Sequence, residues 1–391
     1  MLSARLFSVT TTTTGVVAGC RRSLLSQLAR PVATPAPVVR RLFASEAVKP
    51  SMSLLAKLRK ETQCSISKGK DALVATGNDY AAALEWLERD MAESGAKKAA
   101  KLGSRVAAEG LIGVTVHPNG QLGSIVELNS ETDFVAKSEP FCDLVKKMGA
   151  ATLVWSSEIK DRHDPIQWQQ GPSIHPLDVE AVLDFPVVPL PDAAPAAEAA
   201  EAPKSCKETI VDVIGKLGEN IRFRRAALAM PSGDFLKTAQ SPVNVVGGYV
   251  HSQSGVPAGL GRIGALVQLK CIPVPTTQAP KVQQFARQLA QHIVGFAPTV
   301  KSTHELPSGD QLAELAGGPD QVEAYLDQYV LLRQPFLMGG GSVEQVLATF
   351  SQENGVQLSI DAFVRYECGD GIEKKADNFA EEVARQVGTK A

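Results

Sequence analysis

At Gly110 the hydrophobic period of this 391-residue chain changes from helical to strand-like, which constrains the fold more than any other feature. Before that point Tyr80, Leu84, Leu87 and Met91 recur at the spacing of one helix face. The pattern predicts three short helices over 53–63, 68–76 and 79–94, the last capped by Asn78 and stopped by Gly95. After it Ile112, Val114 and Val116 alternate, Pro118-Asn119-Gly120 supplies a turn, and the run from Leu122 to Leu128 returns as a second strand. A helix should begin near Ser138, with Pro140 in its first turn and Phe141, Leu144, Val145 and Met148 facing a core. Further helices are expected at 207–217, 281–294, 343–354 and 377–386, and strands at 221–229, 263–272 and 360–366. Strands joined by hairpins and long connections, with helices between them, predict an α+β fold whose antiparallel sheets are each covered on one face.

The first 45 residues differ in kind. They hold Arg5, Arg21, Arg22, Arg30, Arg40 and Arg41, no acid, and a threonine run from Thr10 to Thr14. That composition is the signature of a mitochondrial transit peptide over 1–45, cut between Arg41 and Lys49, and it predicts a mitochondrial matrix protein. Without those six arginines the chain keeps 34 basic residues against 42 acidic ones, a net charge near −8. A general phosphate-binding surface is disfavoured by that balance, so no nucleic-acid partner is expected. The rest divides into a three-helix domain (50–95), a first α+β subdomain (96–185), a Pro/Ala-rich insertion (186–206) and a second α+β subdomain with a terminal helix (207–391).

Several chemistries are excluded by spacing. The six cysteines are far apart with no C-x-x-C pair, and no histidines stand at ligand spacing, so free thiols and no metal site are expected. No apolar run is long enough to cross a membrane. Gly259-Leu260-Gly261-Arg262-Ile263-Gly264 matches G-x-G-x-x-G. Here, however, the glycines precede a strand, and no acid follows before His304 to hold a ribose. There is no G-x-x-x-x-G-K-[S/T] loop, so no nucleotide cofactor is expected. No catalytic triad can be assembled around the six histidines. What remains is Thr132-Asp133-Phe134-Val135 at a strand-to-helix turn. Residue chemistry alone reads Asp133 as a turn cap and Phe134 as a core side chain.

A series of blocks along the chain nevertheless resembles one family. Leu58-Arg59-Lys60-Glu61-Thr62, the run Gly95 to Lys101, Glu127-Leu128-Asn129-Ser130-Glu131-Thr132-Asp133-Phe134-Val135-Ala136-Lys137, and Gly218-Glu219-Asn220-Ile221 with Arg224-Arg225 are similar to elongation factor Ts. Arg262-Ile263-Gly264-Ala265-Leu266-Val267, Gln334-Pro335-Phe336-Leu337-Met338 and Gly369-Asp370-Gly371-Ile372-Glu373-Lys374 follow in the same order. The resemblance implies an N-terminal three-helix domain like ubiquitin-associated domains, followed by two α+β subdomains. It implies a non-enzymatic guanine-nucleotide exchange factor. The partner would be mitochondrial elongation factor Tu, in its GDP-bound and nucleotide-free states, and this chain would hold no nucleotide itself. On the family pattern Thr132, Asp133, Phe134 and Val135 would enter the partner's G domain, with Phe134 as a wedge. Arg59 and Lys70 would touch it from the three-helix domain, and Tyr249 and His251 from the second subdomain. The competing reading is a ubiquitin- or RNA-binding adaptor built on the three helices and the lysines from Lys97 to Lys101.

Overall fold

The computed structural model describes residues 48–62, 64, 66–162, 173–187, 203–230, 243–272 and 279–373. The expected transit peptide, most of the Pro/Ala-rich insertion and the expected helix at 377–386 lie outside the described residues. The chain begins with α1 (Met52–Thr62), α2 (Ile66–Ala75) and α3 (Tyr80–Leu102). Next come β1 (Glu109–Val116), β2 (Gly123–Ser130), α4 (Asp133–Ala136), α5 (Glu139–Arg162), β3 (Ile174–Leu177), α6 (Val179–Leu183), α7 (Cys206–Leu217) and β4 (Arg222–Ala229). The remainder is β5 (Val243–Val250), β6 (Leu260–Gly261), β7 (Ile263–Ile272), α8 (Ala279–Phe296), α9 (Asp310–Ala316), α10 (Val322–Tyr329), α11 (Val343–Asn354) and β8 (Gln357–Glu367).

The apolar stripe of the first three helices closes on itself. Leu55, Leu58, Ala72, Leu73, Ala83 and Leu87 are buried together, as helical spacing requires. Lys68 bridges to Asp90 and donates to Ser94 Oγ at 2.8 Å, tying α2 to α3. Two local expectations are corrected. The cap of α3 is Asp79, which accepts the Ala82 amide at 3.0 Å. Asn78 instead adopts a positive φ of 67°, which asparagine tolerates, and its side chain accepts from Ser51 N–H at 2.8 Å.

Gly95 does not stop α3, which runs on to Leu102. A Cβ at Gly95 would lie 2.7 Å from the Val211 carbonyl oxygen on α7, so the glycine marks a close helix crossing rather than an end. Three residues on, Lys98 Nζ donates to the Gly215 carbonyl at 2.9 Å, satisfying a carbonyl in the last turn of α7. Gly95→Ala is therefore expected to destabilise the fold by about 1–3 kcal/mol through overpacking. Alanine's better helix propensity returns roughly 1 kcal/mol of that cost, leaving a net destabilisation of up to about 2 kcal/mol. Urea unfolding checks the sign, since a more stable variant would contradict the tight crossing.

Two antiparallel sheets form the rest, one in the order β3-β4-β2-β1-β6 and one in the order β5-β7-β8. Their inner faces meet, with Ile112, Ile125 and Ala227 of the first packed against Val246, Leu266 and Tyr366 of the second. The outer face of the first sheet is covered by α5 and α7, through Phe141, Leu144, Val145, Met148, Val213 and Ile214. On the second, Val282, Phe285, Leu289 and Ile293 of α8 and Val343 of α11 do the same. Each sheet is thus covered on both faces, not one, and β2 is buried at every position.

The α+β class holds, but the first sheet draws on both sides of the Pro/Ala-rich segment. β4, which the sequence reading places in the second subdomain, pairs with β2, and α7 packs on the same sheet. The segment's ends are pinned together, since Pro186 bridges Ser205 and the Val187 amide donates to the Lys204 carbonyl at 2.8 Å. The cysteines at 64, 142, 206 and 368 are free thiols, and all four are buried, as is Cys271.

Candidate functional site

At the end of β2 the chain turns into α4, a single helical turn. Thr132 caps it, its extended backbone (φ −123°, ψ 156°) letting Oγ1 accept the Val135 amide at 3.3 Å. The cap is itself held from outside. Thr132 N–H donates to Glu219 Oε2 at 3.0 Å and its hydroxyl to Glu219 Oε1 at 2.7 Å. Glu131 reciprocates, accepting the Asn220 amide at 2.7 Å and pairing with Arg105 at 3.3 Å. Asn220 closes the loop by donating from Nδ2 to the Arg105 carbonyl at 2.7 Å. Two adjacent residues after α7 thus clamp two adjacent residues after β2.

On this clamped turn Val135 packs against the core and Ala136 is buried, whereas Phe134 is 82% exposed. The reading of Phe134 as a core side chain is overturned, and so is that of Asp133 as the cap. Asp133 stands at the first helical position, paired with Lys137 at 2.8 Å. The Lys137 hydrogen bond is the main cause that holds the Asp133 carboxyl below its ordinary value. Beside the turn lies a cleft of about 1090 Å³ lined by Arg105, Val106, Glu109, Asp133, Phe134 and Arg262, among others.

The other predicted residues stand on separate elements. Tyr249, in β5, is half-buried against the second core and lines a depression of about 820 Å³ with Gln283 and Arg287. His251 follows the strand, exposed, its amide donating to the Ile263 carbonyl at 2.9 Å. Arg59 and Lys70 are exposed on α1 and α2 of the three-helix unit. The G-x-G-x-x-G run forms β6 and the start of β7, with no helix directly after its glycines. That is not the geometry of a pyrophosphate loop.

Sequence reasoning missed the groups that hold the site. Besides Glu219 and Asn220, the chief one is Glu127 of β2, whose side chain is fully buried. It accepts from Arg224 at 2.9 Å, Arg225 at 2.5 Å, the Gly369 amide at 2.8 Å and Asn129 Nδ2 at 3.1 Å. Adjacent residues of a regular strand point to opposite faces. The register shifts between Glu127 and Leu128, so that Glu127 faces Arg225 and Leu128 faces Phe223, leaving Arg224 as the extra residue of a bulge. That bulge lets both arginines reach one carboxylate.

Comparison with known proteins supplies the family. Residues 131–314 match the family model described as "Elongation factor TS". The chain is 36% identical over 321 residues to a Nematostella vectensis protein named "Elongation factor Ts, mitochondrial", covering 81% of this chain and 98% of the relative. A Dictyostelium discoideum protein of the same name is 31% identical over 336 residues, covering 84% and 88%. A Parvibaculum lavamentivorans protein named "Elongation factor Ts" is 32% identical over 351 residues, covering 85% and 96%. With relatives matched at such identity over nearly their whole lengths, the chain belongs to the elongation factor Ts family of translation elongation factors.

Proposed function

We propose that this chain is a non-covalent guanine-nucleotide exchange factor of the mitochondrial matrix. It binds mitochondrial elongation factor Tu in the GDP-bound and nucleotide-free states and accelerates GDP release. The observation that carries this reading is Phe134, a large apolar side chain held 82% exposed on a turn too tightly clamped to withdraw it. A rigid, exposed aromatic gains its burial energy only when a partner closes over it, without a conformational search first. Thr132, Asp133, Phe134 and Val135 form the element that enters the G domain and disturbs the groups around Mg²⁺ and the phosphates. Arg59 and Lys70 of the ubiquitin-associated-like three-helix domain, and Tyr249 and His251 of the second subdomain, extend the contact.

The energetics set what Phe134 supplies. A thousandfold faster release lowers the barrier by about 4 kcal/mol. Burying one phenylalanine contributes about 1.5–3 kcal/mol. The wedge therefore supplies part of the effect, and the Mg²⁺ site and the wider interface supply the rest. By reciprocity, a chain that weakens GDP binding is itself bound more weakly by the factor when GDP is present, by the same ratio. The adaptor reading loses ground because Lys98, in the middle of its basic run, is engaged with the Gly215 carbonyl.

The test is stopped-flow release of a fluorescent GDP analogue from mitochondrial elongation factor Tu with and without the chain. Acceleration that rises with the chain's concentration is expected. A folded chain that leaves the rate unchanged would remove the exchange reading.

A further inference from the structure

The loop between β5 and β6 contributes Gln253 to the lining of the cleft that Phe134 also lines. Gln253 of that loop and Arg262, just after β6, line the cleft together with Thr132, Asp133, Phe134 and Lys137. The loop is fixed in place. Val256 packs on the first core, the Val256 amide donates to the Gln253 carbonyl at 3.2 Å, and the Val114 amide donates to the Gly259 carbonyl at 3.3 Å. Because Phe134 and Gln253 line one cleft, a protein that closes over Phe134 brings its surface toward the same cleft.

The cleft's chemistry says how it would be met. Its carboxylates are already paired, Glu131 with Arg105 at 3.3 Å, Asp133 with Lys137 at 2.8 Å and Glu109 with Arg262. The charges balance, three of each sign, so the cleft does not select a strongly charged ligand. One group is left wanting. The Gln253 side-chain oxygen is screened from solvent and has no hydrogen-bond partner. Such an acceptor is destabilising until a donor reaches it. The last torsion of a glutamine is broad, so the amide of this cleft-lining side chain can be re-aimed toward a donor at low cost.

We propose that Gln253 is a specificity-determining residue of the exchange interface, whose amide oxygen accepts a hydrogen bond from an uncharged N–H or O–H donor of elongation factor Tu when Phe134 is buried. The proposal rests on the exchange reading above and adds the β5–β6 loop to its site. It makes the loop part of partner recognition.

The experiment compares the full chain with Gln253→Leu, which keeps bulk and removes the acceptor, and Gln253→Glu, which keeps an acceptor oxygen. Affinity for nucleotide-free elongation factor Tu is measured by titration calorimetry at low and high salt, and thermal stability is measured alongside. Gln253→Leu is expected to bind about 5- to 10-fold more weakly, the value of one hydrogen bond, by the same ratio at both salts, while melting no lower than the original chain. Gln253→Glu is expected to retain most of the affinity. Equal affinity of Gln253→Leu and the original chain overturns this inference and leaves the exchange reading standing. Failure of the original chain to bind overturns both.

Discussion

Phe134→Ala is expected to slow catalysed GDP release by about 10- to 100-fold while leaving the melting temperature of the free chain unchanged. The two halves of that expectation have one cause. At 82% exposure the ring contributes little to the folded chain, so removing it takes little away. On the proposed exchange reading the same ring is buried in the complex, and the lost burial of about 1.5–3 kcal/mol would appear in the exchange barrier, at roughly 1.4 kcal/mol per tenfold. Stopped-flow kinetics and a melting curve on the same preparation separate the outcomes. A folded variant with full exchange activity would remove Phe134 as the wedge. A variant that melts well below the original chain would show that the ring is a structural side chain after all.

Much of the architecture was legible from periodicity, because periodicity reports which face is buried. The stripe Phe141, Leu144, Val145 and Met148 is buried as its spacing predicts. The helix at Val343–Asn354 and the strand at Ile263–Ile272 fall where expected. The failures occur where a tertiary contact reverses a local signal. β5 was missed because Val243-Asn244-Val245-Val246-Gly247-Gly248-Tyr249-Val250 carries two glycines, which weaken a strand reading. A Cβ at Gly247 would lie 2.2 Å from the Ala286 carbonyl on α8, so the residue that obscures the strand is the one that lets a helix lie on it. Gly95 misled in the same way. The pairing of β4 with β2 joins residues about a hundred positions apart, and no window of sequence contains it.

The site divides similarly. The family resemblance singles out the turn at 132–135 as the candidate site, whereas the physical character of that turn is not readable from local chemistry. Local chemistry placed Phe134 in the core, since a phenylalanine next to Val135 and Ala136 usually belongs there. Its exposure follows from the clamp by Glu219 and Asn220, which fixes the turn with Val135 and Ala136 inward. Several blocks that carry the resemblance turn out to hold the scaffold. Arg224-Arg225 and Gly369 converge on Glu127, and Gln334 of the later block is buried against His292 at 3.0 Å. The Leu337 amide donates to His292 Nδ1 at 3.2 Å, so Nε2 carries the proton and donates to Gln334.

Glu127 is where the scaffold carries the largest single risk, and its loss is expected to destabilise the chain by about 3 kcal/mol. Removing one member of a buried ion pair typically costs about 3–5 kcal/mol, because the partners stay desolvated. Arg224 and Arg225 are 27% and 28% exposed and partly reach water, which places Glu127→Ala at the lower end. The pH dependence identifies the charge as the cause. Burial, the largest single influence, pushes the Glu127 carboxyl up, but the Gly369 amide, the two arginines and Asn129 together hold it below its ordinary value of 4.5. A carboxyl lowered by folding contributes stability above its unfolded pKa, and that contribution is lost as pH falls through its folded value. Glu127→Gln has no such proton to gain. The original chain should melt above Glu127→Gln at pH 7, and the gap should close as the pH drops below about 4. Calorimetric melting of the two at neutral and acid pH decides the matter. A gap that stays constant with pH would mean that shape and hydrogen bonding, not the buried charge, make Glu127 indispensable to the strand that carries Phe134 to the surface.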